Sequence, residues 1–152
     1  PGAEDPIRAA RTLLETTSEG PGAGKAFLVS LGSSGAILVP TDGKPIDIKA
    51  PKVKAVDATG AGDALNGALA AALASGLSLE VAARRAVVAA SLSVTRAGAR
   101  EGMPTVEELE RETLAFLLDR VRGSDTPQQF RGSISGQSPW CATRDELPQH
   151  CV

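Results

Sequence analysis

Aromatic residues are nearly absent from this chain. They make up 3% of it, and tyrosine is missing altogether. The stacking platforms that hold single-stranded nucleic acid therefore have no material. Charge of one sign is lacking too. Sixteen Lys and Arg face eighteen Asp and Glu, for a net −2, without the basic excess that a nucleic-acid partner demands. There is no long hydrophobic run: Ala68 to Ser75 is the longest apolar-leaning stretch, too short to span a bilayer, so no membrane partner is expected. No basic segment followed by an apolar one opens the chain, so no secretory leader is read. The only cysteines are Cys141 and Cys151, both in the last dozen residues. They suggest no disulfide framework and suit a reducing cytoplasm. The single histidine, His150, lies beside them, which leaves a Ser-His-Asp triad improbable and a Cys-His metal site short of ligands. An initiating methionine is also missing, and Pro1 reads as the middle of a longer chain.

What is present is 152 residues, 42% apolar and 22% charged. That suffices for a real core and disfavours charge-driven disorder. The length suits one ordinary domain or part of a larger one. Asp5 to Thr17 has helical spacing, with Asp5 as cap and Pro6 in the first turn. Ala26 to Leu31 and Ala36 to Val39 read as short strands around the turn Gly32 to Gly35. Ile46 to Lys49 and Val53 to Val56 alternate as half-buried strands do. A long Ala-rich helix follows Asp63 and stops at Gly76, and its small residues suit close packing on a sheet or another helix. Ser78 caps a second helix to about Thr95. Thr105 and Glu108 have capping-box spacing for a third helix that ends before Gly123. Arg84 and Arg85 are expected on a solvated face. Strands followed by helices fit one half of an α/β layer fold. Residues 124–152 lose apolar periodicity and read as a poorly ordered or atypical tail.

Val56-Asp57-Ala58-Thr59-Gly60-Ala61-Gly62-Asp63 carries the strongest chemistry. A strand ends, two glycines permit a tight turn, and a helix begins. Amides at a helix N-terminus, together with the helix dipole, favour an anion there. Asp63 stands where a carboxylate would repel a phosphate unless it had a task. Two roles fit it: taking a proton from an attacking hydroxyl, or capping the helix. Gly22-Ala23-Gly24-Lys25 is a poor phosphate loop by contrast. Glu19 occupies the required first glycine and Ala26 the required Ser or Thr.

DATGAGDALNGAL resembles the second signature of the ribokinase-type (PfkB) carbohydrate kinases, usually Asp-Thr-x-Gly-Ala-Gly-Asp, with Ala58 in place of Thr. Ser30-Leu31-Gly32-Ser33-Ser34-Gly35 is similar to the family's Thr-x-Gly-x-x-Gly nucleotide loop. Val94-Thr95-Arg96-Ala97-Gly98-Ala99 is similar to the segment after its penultimate helix. Three motifs in order over about Ala9 to Leu118 are specific where Gly32-x-x-Gly35 alone is weak. Asn66-Gly67-Ala68-Leu69 and Val94-Thr95-Arg96-x-Gly98-Ala99 follow the ribose kinases' pattern within the family.

The resemblance implies a three-layer α/β/α fold, present here as its C-terminal part over residues 1–123. It implies transfer of the ATP γ-phosphate to the 5-hydroxyl of ribose, with fructokinase-like or adenosine-kinase-like acceptors, or a non-catalytic nucleotide-binding fragment, as alternatives. Asp63 then looks like the general base, Gly60, Ala61 and Gly62 like the anion hole, and Ser30, Gly32, Ser33, Gly35 and Gly62 like contacts to ATP. Val87 falls near the adenine, although a core position serves it equally well. Mg²⁺ is implied as cofactor. So is K⁺, held by the Asp57 side chain and by the carbonyls of Thr59, Ser93, Arg96 and Gly98, with Gly102 where the family often has Ser. Asp57 as a plain turn residue is the competing reading. Sugar and ATP are the implied partners, and the resemblance allows a homodimer for the full-length form. The family's Gly-Gly signature, most of its sugar contacts and its Asn-x-x-Glu motif are not in this sequence. The isolated chain is therefore expected to be inactive as a sugar kinase.

Overall fold

The computed structural model describes residues 5–17 and 25–122. The expected tail at 124–152, with Cys141, His150 and Cys151, lies outside the described residues, as do Gly22, Ala23 and Gly24.

Helix α1 (Pro6–Thr17) starts as its sequence dictates, with the Ile7 N–H donating to Asp5 Oδ1 at 3.0 Å. Strands β1 (Ala26–Ser30), β2 (Ala36–Pro40) and β3 (Ile46–Ile48) form one antiparallel sheet in that order. Phe27 lies opposite Val39, and Ala36 opposite Ile48. Side chains alternate across a pleated strand, and here both faces are apolar. Phe27, Val29, Ile37 and Val39 meet Ala10 and Leu14 of α1. Leu28, Ala36, Leu38, Ile46 and Ile48 meet Ala83 and Val87 on the opposite side. Those last two belong to α3 (Leu79–Ser93), which follows α2 (Ala61–Ala74). The result is helix, sheet, helices: the three-layer α/β arrangement.

Helix α3 is the hub. It packs against α2, against β2 and β3, and against α4 (Val106–Arg122). Residues 82–89 are all buried in consequence. Alanines are frequent in both α2 and α3, so their backbones can approach closely. Leu109 of α4 closes the far side on Val88 and Ala89. Both expected caps form. Ser78 Oγ accepts from the Val81 N–H at 3.5 Å. Thr105 and Glu108 exchange reciprocal bonds, Thr105 N–H to Glu108 Oε2 at 2.9 Å and Glu108 N–H to Thr105 Oγ1 at 3.2 Å.

Two expectations fail. Val53 to Val56 is not a strand; the chain from Lys49 to Ala55 has no regular structure. A strand needs a ladder partner. Here the Val56 N–H instead donates to the Val94 carbonyl, which also receives the Asp57 N–H. Val53 and Val56 remain 39% and 61% exposed. Arg84 and Arg85 are likewise not on a solvated face, since each is only 9% exposed. Packing of α3 on three sides leaves it no open face. Arg84 is satisfied in part by Glu80 one turn earlier, through Nη2 at 2.6 Å and Nε at 3.1 Å. Burial pulls the Arg85 guanidinium below its ordinary pKa, and Glu110 pulls it back up.

Candidate functional site

The turn into α2 is built around Gly60. It is the N-cap residue with φ +80°, a left-handed conformation, and no side chain caps the helix. A Cβ on Gly60 would lie 2.9 Å from the Ala99 Cβ, so close approach and backbone sign both require glycine. Ala61 N–H turns back to the Ala58 carbonyl. The amides of Gly62 and Asp63 belong to the first turn of α2, where helical N–H groups lack intrahelical acceptors. Asp63 sits in that first turn, exposed, and is not the cap. Its carboxylate makes no hydrogen bond or ion pair among the described residues.

This turn forms one end of a cleft of about 540 Å³, within the range of small-molecule sites. Ser30, Gly32, Ser33 and Gly35 from the β1–β2 turn line it together with Ala61, Gly62 and Val87. Gly35 makes the closeness possible. At φ +106° it lies against the Ile48 carbonyl and the Ala50 N–H, where any Cβ would collide. Val87, 2% exposed, belongs to the core cluster under the sheet and also lines the cleft. Gly60 and Asp63, next to Ala61 and Gly62 in the chain, do not line the cleft. Sequence reasoning missed two sets of lining residues. Val53 and Ala55 were obscured by the strand reading, Ala50, Pro51 and Lys52 fall between the two expected strands, and Ala58 lies inside the turn motif. Ala90, Ser91 and Val94 share the helical face of Val87, a spacing that the sequence does carry.

Behind the turn, Asp57 ties two loops together. Its Oδ1 accepts from the Thr59 N–H at 2.9 Å and the Thr59 hydroxyl at 2.7 Å, and its Oδ2 accepts from the Gly98 N–H at 2.9 Å. The Thr59 hydroxyl, then the Gly98 and Thr59 amides, hold this carboxyl down at about 2, against a slight opposing effect of burial. The Ser93 and Gly98 carbonyls converge above Gly102, 2.5 and 2.8 Å from where a Cβ would stand. Asp57, Thr59, Ser93, Gly98 and Gly102 thus share one region. The Arg96 side chain pairs with both Glu108 oxygens, at 3.2 and 3.1 Å, which leaves its backbone carbonyl, the group expected to face the cation, untouched. The cradle is compatible with a hard monovalent cation: a carboxylate uses three of its roughly four acceptor positions, and carbonyl oxygens face space that a side chain would fill. No cluster of three or more His, Cys, Asp or Glu side chains is present among the described residues, so they form no Mg²⁺ cage of their own.

Residues 4–106 match the model of the pfkB family carbohydrate kinases. The chain belongs to that family. Among pfkB and related proteins, it is 46% identical over 85 residues to a ribokinase of Lactococcus lactis, covering 55% of this chain and 28% of that one. It is 42% identical over 96 residues to the bifunctional protein HldE of Nitrobacter hamburgensis, covering 62% and 19%. Among solved structures, Thermotoga maritima ribokinase superimposes with TM-score 0.63 at 39% identity, covering 72% of this chain and 34% of that one. Arabidopsis thaliana ribokinase, solved with ribose and ATP, gives 0.56 at 40%, covering 59% and 29%. Escherichia coli phosphofructokinase-2, solved with potassium, gives 0.61 at 29%, covering 72% and 33%. The fold is ribokinase-like. The chain spans 28% of the Lactococcus lactis ribokinase and 19% of the Nitrobacter hamburgensis protein, less than a third of either.

Proposed function

We propose that this chain carries the nucleotide side of an ATP-dependent sugar kinase that converts ATP and D-ribose to ADP and D-ribose 5-phosphate. The observation that carries the reading is the single cleft shared by the Ser30 to Gly35 turn and the uncapped start of α2. Support for ATP and ribose comes from the Arabidopsis thaliana ribokinase, which was solved with both. The match to HldE supports a competing acceptor, a different sugar on the same phosphoryl-transfer apparatus.

In this reading the adenosine lies on the aliphatic floor around Val87, and the phosphates point to α2. Asp63 takes the proton of the sugar's primary hydroxyl as that oxygen bonds to the γ-phosphorus. The bond from phosphorus to the ADP oxygen breaks, and Asp63 later releases its proton to solvent. The amides of Gly60 and Gly62 meet the negative charge on the transferred group, and that of Ala61 joins them by leaving the Ala58 carbonyl. Phosphoryl transfer needs little else than such positioning and charge neutralisation. Mg²⁺, where bound, would be held by the nucleotide phosphates. Potassium would be held by Asp57 with the Thr59, Ser93, Arg96 and Gly98 carbonyls, beside Gly102, and would add a positive charge behind the anion hole. The Escherichia coli phosphofructokinase-2, solved in complex with potassium, supports a part for that ion.

Calorimetric titration of the chain with ADP tests the cleft: saturable one-to-one binding is expected, and none would contradict it. The acceptor is tested by grafting this chain's matched segment into the Lactococcus lactis ribokinase. ATP-dependent ribose phosphorylation by the graft is expected. The isolated 152 residues are expected to bind nucleotide without turning over ribose, and turnover by them alone would refute that part.

A further inference from the structure

The cleft is lined almost wholly by glycine, alanine, serine and aliphatic side chains, and one lining residue is charged. Lys52 comes from the irregular segment between β3 and α2. Its neighbour Lys49 is paired with Asp47 at 2.6 Å. Lys52 has no hydrogen bond or ion pair among the described residues. No carboxylate lines the cleft to neutralise it. A free ammonium thus shares an aliphatic groove with the uncapped N-terminus of α2, and both favour negative charge.

Resting on the nucleotide reading above, we propose that Lys52 is a nucleotide-binding residue whose ammonium contacts the phosphate chain of a nucleoside di- or triphosphate. The aliphatic floor suits the uncharged part of such a ligand. Only its phosphates can answer a lone cation in a groove without acidic groups. Lysine suits the task because its charge is compact and its four-carbon stem is flexible. It can wait in solvent and swing onto phosphate oxygens as the ligand enters, where a charge-assisted hydrogen bond is stronger than a neutral one.

The test is calorimetric titration of the full chain, as wild type, Lys52→Met and Lys52→Arg, with ADP and with adenosine. Lys52→Met is expected to raise the Kd for ADP about tenfold and leave that for adenosine unchanged. It should also flatten the salt dependence of ADP binding, because one screened charge pair is gone. Lys52→Arg should restore most of the ADP affinity. The residue is exposed and outside any element, and circular dichroism checks that each variant is folded. If Lys52→Met binds ADP like wild type, or weakens adenosine by the same factor, the Lys52 assignment is overturned while the nucleotide reading stands. If wild type binds no ADP, the nucleotide reading falls and takes the assignment with it.

Discussion

Replacing Gly60 by alanine should damage the protein in a way that its neighbours do not share. At φ +80° a non-glycine residue costs about 1–2 kcal/mol. The new methyl would also stand 2.9 Å from the Ala99 Cβ and 3.1 Å from its Cα. Overpacking of that kind costs about 1–3 kcal/mol. The sum is roughly 2–5 kcal/mol, a large part of the 5–15 kcal/mol that holds a typical domain together. Gly67→Ala is the control. It lies inside α2, and a Cβ there meets nothing within 4 Å, so alanine should stabilise by about 0.5–1 kcal/mol. Urea denaturation followed by circular dichroism separates the two. With a slope of about 2 kcal/mol per molar, Gly60→Ala should lower the midpoint by about 1–2.5 M while Gly67→Ala raises it. Equal shifts of one sign would refute the tight packing of the turn against Ala99, and with it the geometry assigned to the anion hole.

Three further outcomes follow from the same geometry. Asp63→Asn in the ribokinase graft should lower turnover by about 10²–10⁴ and leave ADP affinity within a factor of two or so; surviving activity in a steady-state assay would remove Asp63 from the role of base. Gly102→Ala would put a methyl between the Ser93 and Gly98 carbonyls, so any potassium-dependent gain in melting temperature should vanish in it and persist in Gly67→Ala. The Asp57 carboxyl has a native pKa of about 2 against an ordinary 3.8, so the folded state holds the charged form more tightly than the unfolded chain. Its contribution is therefore complete above about pH 4 and lost as the pH falls toward 2. Melting curves of wild type and Asp57→Asn should differ by a constant amount above pH 4 and converge below it.

Local rules made much of this molecule legible from sequence. Ser78 and the Thr105–Glu108 pair act within three residues of themselves, so their chemistry is complete in the local sequence. The β1–β2 turn and the entry to α2 are set by glycines whose backbone demands are local too. What escaped depends on distant neighbours. Val53 to Val56 has strand periodicity, but no described strand lies alongside to complete a ladder, and Val94 takes its amides instead. Arg84 and Arg85 have the composition of a surface, yet α2, α4 and the sheet enclose α3. Lys52 escaped for the same reason. Nothing in its sequence neighbourhood says that Gly35 will bring the β1–β2 turn against Ala50 and close a cleft beside it. Asp63 was open between cap and base in sequence. Its place in the first turn, past the Gly60 cap position, removes the simple N-cap reading.

The central claim is that one cleft, between the Ser30 to Gly35 turn and the start of α2, receives a nucleotide. The most direct test is an amide-resolved NMR titration of the chain with ADP. Shifts should concentrate at Gly32, Ser33, Gly35, Ala61, Gly62 and Val87 and saturate together with one Kd. Shifts centred instead on α1 and Thr41, on the other side of the sheet, or no saturable shift at all, would contradict it.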